Sequence, residues 1–366
     1  AEESFSVETS LPLVLRRQGG GDVLASKLAG RTIDSAAAKI AVRLALASPR
    51  PSAPLIAAIR KSGQLSQSGW KLTPGFRDKI LQAVSNAGDA RLGENIYRST
   101  SLQCMNCHAI GGAGGRVGPD LVSIGASAPD DYLLESIIEP NKKVKENFHS
   151  TIILDTDGQV HSGIPIREDT ESVVIRNPMD EVISIPKTDI DQRREGRSLM
   201  PDGGADSLME EELVHLLRFL SELGEPGGDY SVGTRELARR WHFLVSTKES
   251  QFRLRRTSYD SVVREDPAYR WNSAYSRVSG KLPLSAGDSL RRFPDGAAVK
   301  FFRSEFQVSR RGDIRIKLHD PRGLSVWIDL DPVEARGTII HPLEQGLHRI
   351  TVAVDASVRT APLLFE

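Results

Sequence analysis

Cys104-Met105-Asn106-Cys107-His108 is the stretch that decides the fold of this chain. Two thiols three positions apart, with a histidine directly after the second, are the pattern of covalent haem attachment. A single turn of chain can span the two vinyl groups of one porphyrin, so each thiol can form a thioether link. The adjacent imidazole then lies beside the iron as its proximal ligand. The stretch predicts one covalently attached haem c, with Cys104 and Cys107 as tethers and His108 as an iron ligand.

Three other interpretations of the cysteine pair compete with haem. A zinc site would need a second pair of ligands, and the chain holds no other cysteine. A thiol–disulfide redox pair would be expected within a βαβ unit, which the surrounding sequence does not predict. A chance occurrence of the motif is the third interpretation. The flanking sequence favours haem.

Composition places the chain among ordinary globular proteins and bounds its partners. The 366 residues are enough for two or three domains, and the formal net charge is zero. Bulk charge therefore gives no reason to expect nucleic acid as a partner. No apolar run approaches the roughly 18 residues that span a bilayer. Because covalent haem is attached outside the cytoplasm, we expect an exported or periplasmic protein whose sequence here is processed or excised from a longer one.

Residues 1–88 read as short helices separated by glycine and proline. Thr73-Pro74 predicts the start of one helix, because threonine is a good N-cap and proline is favoured at the first helical position. Paired short helices are typical of a helical repeat, although a plain helical lead-in describes them equally well. No catalytic constellation occurs here, so we predict a packing or spacer role for this helical, repeat-like lead-in.

The predicted haem module, residues 89–226, begins with a helix that carries Gly93 and Tyr97 on one face. Ser207 and Glu210 have the spacing of a capping box, which predicts that the closing helix starts at Ser207. A small residue on one helix allows the other to approach closely. We therefore expect the two helices to cross at Gly93, an arrangement that class I cytochromes c resemble.

Gly118-Pro119-Asp120-Leu121 follows the attachment site at the distance expected in that fold. The resemblance implies that the Pro119 carbonyl accepts the Nδ1–H of His108, a bond that would fix the histidine tautomer. The glycine-rich run 111–115 would let the chain lie tightly over the ring edge, although such runs are also typical of flexible loops.

The second axial position of the iron needs its own candidate. Met200 lies in a loop next to a proline, which is the usual distal arrangement in class I cytochromes. Met105 lies between the cysteines, Met179 in a turn, and Met209 in the first turn of the closing helix. An open or histidine-bound site is the alternative; the histidines are His149, His161 and His215. Met200 would raise the reduction potential and favour electron transfer, whereas an open site favours ligand binding.

Alternating residues predict a small antiparallel β-meander at about residues 148–190, inserted ahead of Met200. Asp157-Gly158 is a turn signal between its first two strands. The predicted strands are residues 151–154, 160–167, 172–176 and 181–185.

Several separated motifs occur in one order along about residues 20–245. They are Gly115-Arg116-Val117-Gly118-Pro119-Asp120-Leu121, Tyr132-Leu133-Leu134-Glu135-Ser136, Glu139-Pro140-Asn141-Lys142-Lys143, Ser162-Gly163-Ile164, Ser198-Leu199-Met200-Pro201 and Phe219-Leu220-Ser221-Glu222-Leu223-Gly224. Together they resemble the planctomycete–verrucomicrobial haem-binding domain family. The resemblance implies a cytochrome c-like domain near the end of a large exported protein. The further candidate haem-binding residues are Tyr97, Arg116, Pro119 and Leu121.

Many members of that family carry a sugar-dehydrogenase-like propeller upstream, and this chain has none. We therefore predict no catalytic residues, and an enzymatic role for the chain alone stays uncertain. The favoured function is electron transfer within a larger sugar- or polysaccharide-oxidising system, to a redox partner protein or a fused dehydrogenase domain. Basic residues near the presumed haem edge could steer an acidic partner, although solvated charges offset by nearby carboxylates are the plainer interpretation. They are Lys142, Lys143, Lys145, Arg193, Arg194 and Arg197.

After a predicted linker at residues 227–241, alternation predicts an antiparallel β-sandwich over 242–366. The clearest strands are residues 312–319, 324–330 and 348–354. Gly346-Leu347-His348 resembles the entry to a strand in carbohydrate-binding jelly rolls. An aromatic platform for a sugar is conceivable, although burial is the commoner fate of such residues; the aromatics are Trp241, Trp271, Tyr275 and Trp327.

The whole chain is thus predicted to be multidomain, with α-helical and β parts. Two alternatives to electron transfer remain at this point. One is a haem-based sensor with an open distal site, and the other is a glycan-binding protein that uses the haem as a relay.

Overall fold

The computed structural model describes residues 7–366 with the exception of 47, 49–50, 66–68, 100, 292 and 294–295. The fold mixes helices with several antiparallel sheets, and its C-terminal part is rich in sheet, as predicted. Two compact units divide the chain. The first comprises residues 1–109 and 115–231, and the second comprises residues 110–114 and 232–366.

Helices dominate the first unit. In its described part they are α1 (Val7–Leu15), α2 (Gly20–Leu28), α3 (Ser35–Leu46), α4 (Ala53–Ser62), α5 (Pro74–Ala87), α6 (Ala90–Tyr97), α7 (Cys104–Cys107), α8 (Ile124–Ser127), α9 (Asp130–Ile138) and α10 (Glu210–Glu222). The predicted start of α5 is confirmed, because the Thr73 side chain accepts the N–H of Phe76 and Pro74 is the first helical residue. Across the described residues, no helix is both long and apolar enough to cross a membrane.

The lead-in helices enclose an apolar core of their own, built from buried residues of α1, α3 and α4 such as Ala38, Val42, Leu55 and Ile59. The opposite side of α3 is tied to the segment around the start of α10. Arg43 forms an ion pair of 2.9 Å with Glu212, and both side chains are largely buried. Removing either partner would leave a buried charge without its counter-charge, so the position of α3 against α10 depends on both residues.

Helices α6 and α10 cross at Gly93, as predicted. A Cβ on Gly93 would lie 2.0 Å from the His215 carbonyl oxygen and 2.5 Å from the Phe219 Cβ, so only glycine fits. The Tyr97 ring packs against the Phe219 ring with their centroids 5.7 Å apart. Close approach of the two backbones therefore places Tyr97 in the interior of the unit.

The predicted capping box at the start of the closing helix is wrong by two residues. Helix α10 begins at Glu210, and Met209 rather than Ser207 is its N-cap residue. The Glu212 carboxylate accepts the N–H of Met209 at 2.8 Å, which satisfies one of the free donors at the helix start. Because Glu210, Glu211 and Glu212 are consecutive, each of them could be the third helical residue of a capping box. The spacing in the sequence therefore did not identify the N-cap residue. Met209 accordingly precedes the helix instead of lying within its first turn.

A five-stranded antiparallel sheet lies between α9 and α10 in the chain. Its strands are β3 (Thr151–Asp155), β4 (Val160–Glu168), β5 (Ser172–Arg176), β6 (Val182–Pro186) and β7 (Ile190–Glu195), in the order β6-β5-β4-β3-β7. The four predicted strands are present, and β7 is an addition. Its sequence is polar and mostly exposed because it forms an edge of the sheet, where charged residues are common.

The second unit is built on sheets. The strands outside the five-stranded sheet are β1 (Ala109–Ile110), β2 (Ala113–Gly114), β8 (Arg240–Leu244), β9 (Trp271–Tyr275), β10 (Leu290–Arg291), β11 (Ala298–Val308), β12 (Gly312–Lys317), β13 (Leu324–Ile328), β14 (Asp331–Val333), β15 (Thr338–Leu343) and β16 (Gly346–Asp355). Seven of them form one sheet in the order β14-β13-β16-β11-β8-β9, with β10 beside β11; β12 and β15 form a separate pair.

Alternation along β11 gives the large sheet two different faces. Phe302 points into a core that includes Trp241 and Ile339, so the β12–β15 pair covers this face. Phe301 points the other way, into a core with Leu254, because the helices α11 (Lys248–Arg256) and α12 (Asp260–Val263) cover part of the second face. The sequence pattern did not indicate these helices.

Two of the four aromatics proposed as a sugar platform are core residues. Trp241 is 1% exposed and Trp327 is 5% exposed. Their indole N–H groups are also satisfied internally: Trp241 donates to the Ala238 carbonyl and Trp327 to Asp260 Oδ1. Neither ring is available for stacking with a sugar. Strand β8, which carries Trp241, begins at Arg240 inside the predicted linker.

The second unit should lose stability as the pH rises through the pKa of His348. Nδ1–H of His348 donates to Asp329 Oδ2 (2.7 Å) and Nε2–H donates to the Glu344 carbonyl (2.9 Å), so both nitrogens favour the protonated ring. The bond to Asp329 raises the pKa of His348 above its ordinary value. The folded protein therefore holds this proton more tightly than the unfolded chain, and its stabilising effect is complete below about pH 6.5 and is lost above the folded pKa.

Chemical denaturation of the chain between about pH 6 and pH 8 measures this dependence. His348→Gln should flatten the slope, whereas His341→Gln on β15 should leave it unchanged. An unchanged slope in His348→Gln would show that another group carries the pH dependence.

Candidate haem site

The two cysteines lie at the ends of α7, a single helical turn. The turn is closed by the bond from the His108 N–H to the Cys104 carbonyl (2.9 Å), and it begins after Gln103, which adopts a left-handed conformation with φ 59°. Both thiols are half-buried and neither forms a disulfide. The arrangement presents two reduced sulfurs one turn apart with the imidazole directly behind them.

Desolvation raises the pKa of the Cys104 thiol to about 11, and it also raises the pKa of the Cys107 thiol. Both sulfurs are therefore protonated at neutral pH. Cysteines that exchange disulfides have lowered thiol pKa values instead, because the thiolate is the nucleophile. Among the described residues, no group of three or more His, Cys, Asp or Glu side chains gathers as a metal ion such as zinc would need.

The ring of His108 is fixed by the carbonyl predicted to hold it. Nδ1 of His108 lies 2.9 Å from the Pro119 carbonyl oxygen, to which it donates. Burial lowers the pKa of His108, and the Pro119 bond opposes this with a smaller effect. The imidazole is therefore neutral at neutral pH with its proton on Nδ1, which leaves the lone pair of Nε2 for a ligand. This is the state that a histidine needs to bind iron.

Two glycines let the following loop lie directly on the motif. A Cβ on Gly118 would lie 2.5 Å from Cε1 of His108, and a Cβ on Gly115 would lie 1.8 Å from the Asn106 carbonyl oxygen. The loop is also bonded to the turn, since Gly115 N–H donates to Met105 O and Gly118 N–H donates to Cys107 O. The loop that contains Gly115 and Gly118 therefore packs directly against Cys107 and His108, and we call this loop the glycine cradle.

The remaining predicted contacts divide into two groups. Tyr97 is buried, and its hydroxyl donates to the His108 carbonyl at 2.7 Å. Leu121 is half-buried, and its N–H donates to the Ala109 carbonyl, so it closes the loop from the other end. Arg116 is exposed, and its backbone N–H donates to Asp180 of the five-stranded sheet. The structure brings Tyr97, Pro119 and Leu121 to the motif, whereas this bond of Arg116 ties the loop to the sheet.

A buried ion pair beside the motif was not predicted. Glu94 and Arg98, one turn apart on and after α6, form a bond of 3.0 Å with side chains 7% and 12% exposed. Arg98 Nη1 also lies 3.6 Å from the Met105 sulfur. The i, i+4 spacing of opposite charges is a signal in the sequence, but it is usually a feature of exposed helix faces. Here it supports the turn that carries the cysteines.

Met200 lies half-buried in the loop before α10. Its N–H donates to the Ser198 hydroxyl at 3.2 Å, and the Ser198 N–H donates to the Asn141 side-chain oxygen at 2.9 Å. The Asn141 amide group in turn donates to Asp202 at 2.7 Å. Asn141 thus bridges the loop on both sides of Met200 and was not singled out as a site residue from the sequence. These hydrogen bonds position the loop, and iron ligation by Met200 stays a prediction.

Residues of the helical lead-in also form hydrogen bonds with the segment that follows Met200. Trp70 donates its indole N–H to the Ala205 carbonyl (2.9 Å) and its backbone N–H to Asp206 (3.3 Å). Lys39 lies 4.3 Å above the Trp70 ring and donates to the Leu208 carbonyl. The helical lead-in therefore holds the stretch that joins Met200 to α10.

The alternative histidine ligands all have other partners. Nδ1 of His215 accepts the N–H of Asp89 at the start of α6, and the ring is buried. His161 lies 2.8 Å from Asp155, and His149 lies 3.0 Å from Glu195. The first is a core residue and the other two belong to the five-stranded sheet and the segment leading into it.

Four of the six basic residues predicted to lie near the haem edge form ion pairs with carboxylates of the same chain. Their carboxylate partners show this: Lys142 with Glu135 and Glu139, Lys143 with Glu135, Arg193 with Glu168 and Arg197 with Asp202. Hydrogen bonds from the two lysines lower the pKa of Glu135 below its ordinary value. The plainer interpretation, solvated charges offset by nearby carboxylates, is the one that these pairs support.

No protein-family model matches the chain, and no curated protein is similar to it. The resemblance of its motifs to the haem-binding domain family therefore stays a prediction. The support for a haem site comes from the contacts around His108.

Proposed function

We propose that residues 89–226 form a cytochrome c-like module that holds one covalent haem c and transfers electrons. In this proposal the protein is exported, and it passes electrons to or from a redox partner protein or a dehydrogenase domain of a sugar- or polysaccharide-oxidising system. The C-terminal sheets, as a β-sandwich-like domain, would be a separate binding part.

The bond from His108 Nδ1 to the Pro119 carbonyl is the observation that carries the proposal. It fixes the proton on Nδ1, which leaves the lone pair of Nε2 able to bind an iron ion. A thiol pair that exchanged disulfides would gain nothing from this arrangement, and a histidine in a plain core would not need two half-buried thiols beside it. The donor set and the glycine cradle fit a c-type haem.

Each residue then has a defined task. Cys104 and Cys107 would form the thioether links, and His108 would be the proximal ligand. Tyr97 holds the His108 backbone through the hydrogen bond to its carbonyl, and Gly118, which has no Cβ, leaves room for the His108 ring. Met200 would be the distal ligand, presented by the loop that Asn141 bridges. Haem c, when bound, supplies a one-electron couple whose potential is raised by His/Met ligation.

Export of the chain together with a haem-attachment system tests this function. The purified protein should be red, and its mass after denaturation should exceed that of the bare chain by one haem. Cys104→Ser/Cys107→Ser should lose the covalent haem completely because neither thioether can form. Met105→Leu, between the two cysteines, is the matched control and should keep it.

The visible spectrum of the oxidised protein then separates electron transfer from ligand sensing. A far-red charge-transfer band from a methionine–iron bond, lost in Met200→Ala, supports the electron carrier. Without that band in the unsubstituted protein, and with carbon monoxide binding readily, the sensor would be favoured. A colourless protein with the mass of the bare chain would refute both.

A further inference from the structure

The helix-side face of the large sheet contains an arginine that interacts with the charges of Glu305 and Glu265 but forms no ion pair with a described residue. Arg303, on β11, is half-buried, and its Nε atom is buried without a hydrogen-bond partner. No described carboxylate forms an ion pair with its guanidinium. Burying such a group costs free energy unless something pairs with it. An unsatisfied group in a folded protein therefore calls for an explanation.

An aromatic ring lies against this arginine. The guanidinium carbon of Arg303 is 4.3 Å from the centre of the Trp271 ring. Trp271 lies on β9, an edge strand, and remains half-exposed, unlike the buried Trp241 and Trp327. Stacking with the tryptophan offsets part of the cost of burial but gives the N–H groups no acceptor. Arg303 thus covers one face of the ring, and because its Nε atom is buried, only its terminal Nη groups can donate to a ligand.

The strand register places further polar groups on the same face. Arg303 is opposite His242 of β8 and Thr351 of β16, and Glu305 is opposite Arg349. Directly opposite residues point to the same side of a sheet. Since Phe301 lies two residues earlier on this side, under α11 and α12, the polar set begins beside the helices, where Thr351 is 1% exposed, and it becomes exposed at Glu305.

A cleft of about 290 Å³ lies at one end of this polar set. Arg349 in its wall is paired with Glu265 and Glu305, at 3.2 and 3.0 Å, so this arginine already has its counter-charges. Glu265 is largely exposed and can accept further hydrogen bonds. Two exposed leucines, Leu330 and Leu347, line the same cleft. The face therefore offers carboxylate acceptors, apolar surface, a partly exposed ring and one arginine that forms no ion pair with a described carboxylate.

We propose that this face binds a carboxylate-bearing saccharide, with Arg303 pairing with the carboxylate of a uronic acid unit and Trp271 stacking on a sugar ring. A guanidinium presents parallel N–H donors that match a carboxylate, which is why arginine is preferred at such sites. Glu265 and Glu305 would accept hydroxyl groups of neighbouring sugar units in the cleft. The proposal is independent of haem and concerns residues of the second unit alone.

Calorimetric titration of the full chain with trigalacturonic acid tests the proposal. We expect binding that weakens with salt, and at least about tenfold weaker binding of the methyl ester, whose carboxylates carry no charge. Arg303→Gln should reduce affinity for the acid about tenfold or more and make the acid and ester nearly equal. Trp271→Ala should weaken both.

The matched control is Arg315→Gln, which removes an exposed arginine from β12 in the separate two-stranded sheet. It should bind trigalacturonic acid as the unsubstituted chain does. Thermal unfolding checks that Arg303→Gln is folded; since it removes an unpaired buried charge, its midpoint should not fall. Equal affinity for acid and ester, unchanged binding by Arg303→Gln, or no binding at millimolar acid would each overturn the proposal.

Discussion

Gly93→Leu is expected to lower the free energy of unfolding of the first unit by about 3 kcal/mol. Even a Cβ at this position would lie 2.0 Å from the His215 carbonyl oxygen, which belongs to backbone and cannot turn aside. A leucine would force α6 away from α10 and pull Tyr97 from its place against Phe219. Calorimetry of the full chain measures the loss, and the transition of the second unit serves as an internal reference.

Gly75 provides the matched control, because it is also a helical glycine but has open space where a Cβ would lie, with no neighbouring atom within 4 Å. Gly75→Ala should be neutral or stabilising by up to about 1 kcal/mol, since alanine is the better helix former. Gly93→Ala should be clearly destabilising in comparison. Equal effects of the two alanine variants would mean that helix propensity, and not the close approach of α6 and α10, governs Gly93.

Arg359→Ala is expected to destabilise the second unit by about 3 kcal/mol. Arg359 is 5% exposed and donates to four carbonyl groups, which lose their partner on truncation. They belong to Asp320, Arg322, Ala361 and Pro362. The residue thus joins the loop before β13 to the C-terminal segment. Denaturant unfolding followed by tryptophan fluorescence measures the change, since three of the four tryptophans lie in this unit.

Arg322 is the control for charge alone. It is 83% exposed and pairs with the same Asp320. Surface ion pairs contribute little, so Arg322→Ala should change stability by less than about 1 kcal/mol. Arg359→Lys keeps the charge but cannot reach four carbonyls, and it should remain strongly destabilised. A lysine variant as stable as the original chain would show that charge, and not the fixed fork of donors, is what the site requires.

Local pattern predicted the parts of the fold that repeat with a simple period. Strands β6 and β12 alternate more buried and exposed residues because one side of each faces solvent, whereas β5, β13 and β16 contain apolar runs whose consecutive residues are buried on both faces. The period fails for β7 and for α11, whose sequences are almost entirely polar. Strand β7 lies at a sheet edge and α11 is mostly exposed, so neither has the periodic apolar residues from which a strand or helix is predicted.

The residues of the candidate site that are close in sequence could also be predicted, whereas those brought together by long-range packing could not. The cysteines, His108 and Pro119 are close in sequence, so spacing alone brought them together. The residues that hold the Met200 loop are not: Asn141 is 57 residues from Ser198, and Lys39 is 169 residues from Leu208. Contacts of that range depend on how the elements pack, and no window of sequence contains both partners.

The attachment of the lead-in has a practical meaning for anyone who trims this chain. A recombinant fragment starting at Asp89 would begin neatly at the cap of α6, yet it would discard Lys39, Arg43 and Trp70. Glu212 would then keep a largely buried charge without its counter-ion, and the carbonyl groups of Ala205 and Leu208 would lose their donors. The shortest piece that preserves these bonds starts ahead of α3. A fragment boundary placed at the start of the proposed haem module would therefore remove the bonds that hold the Met200 loop.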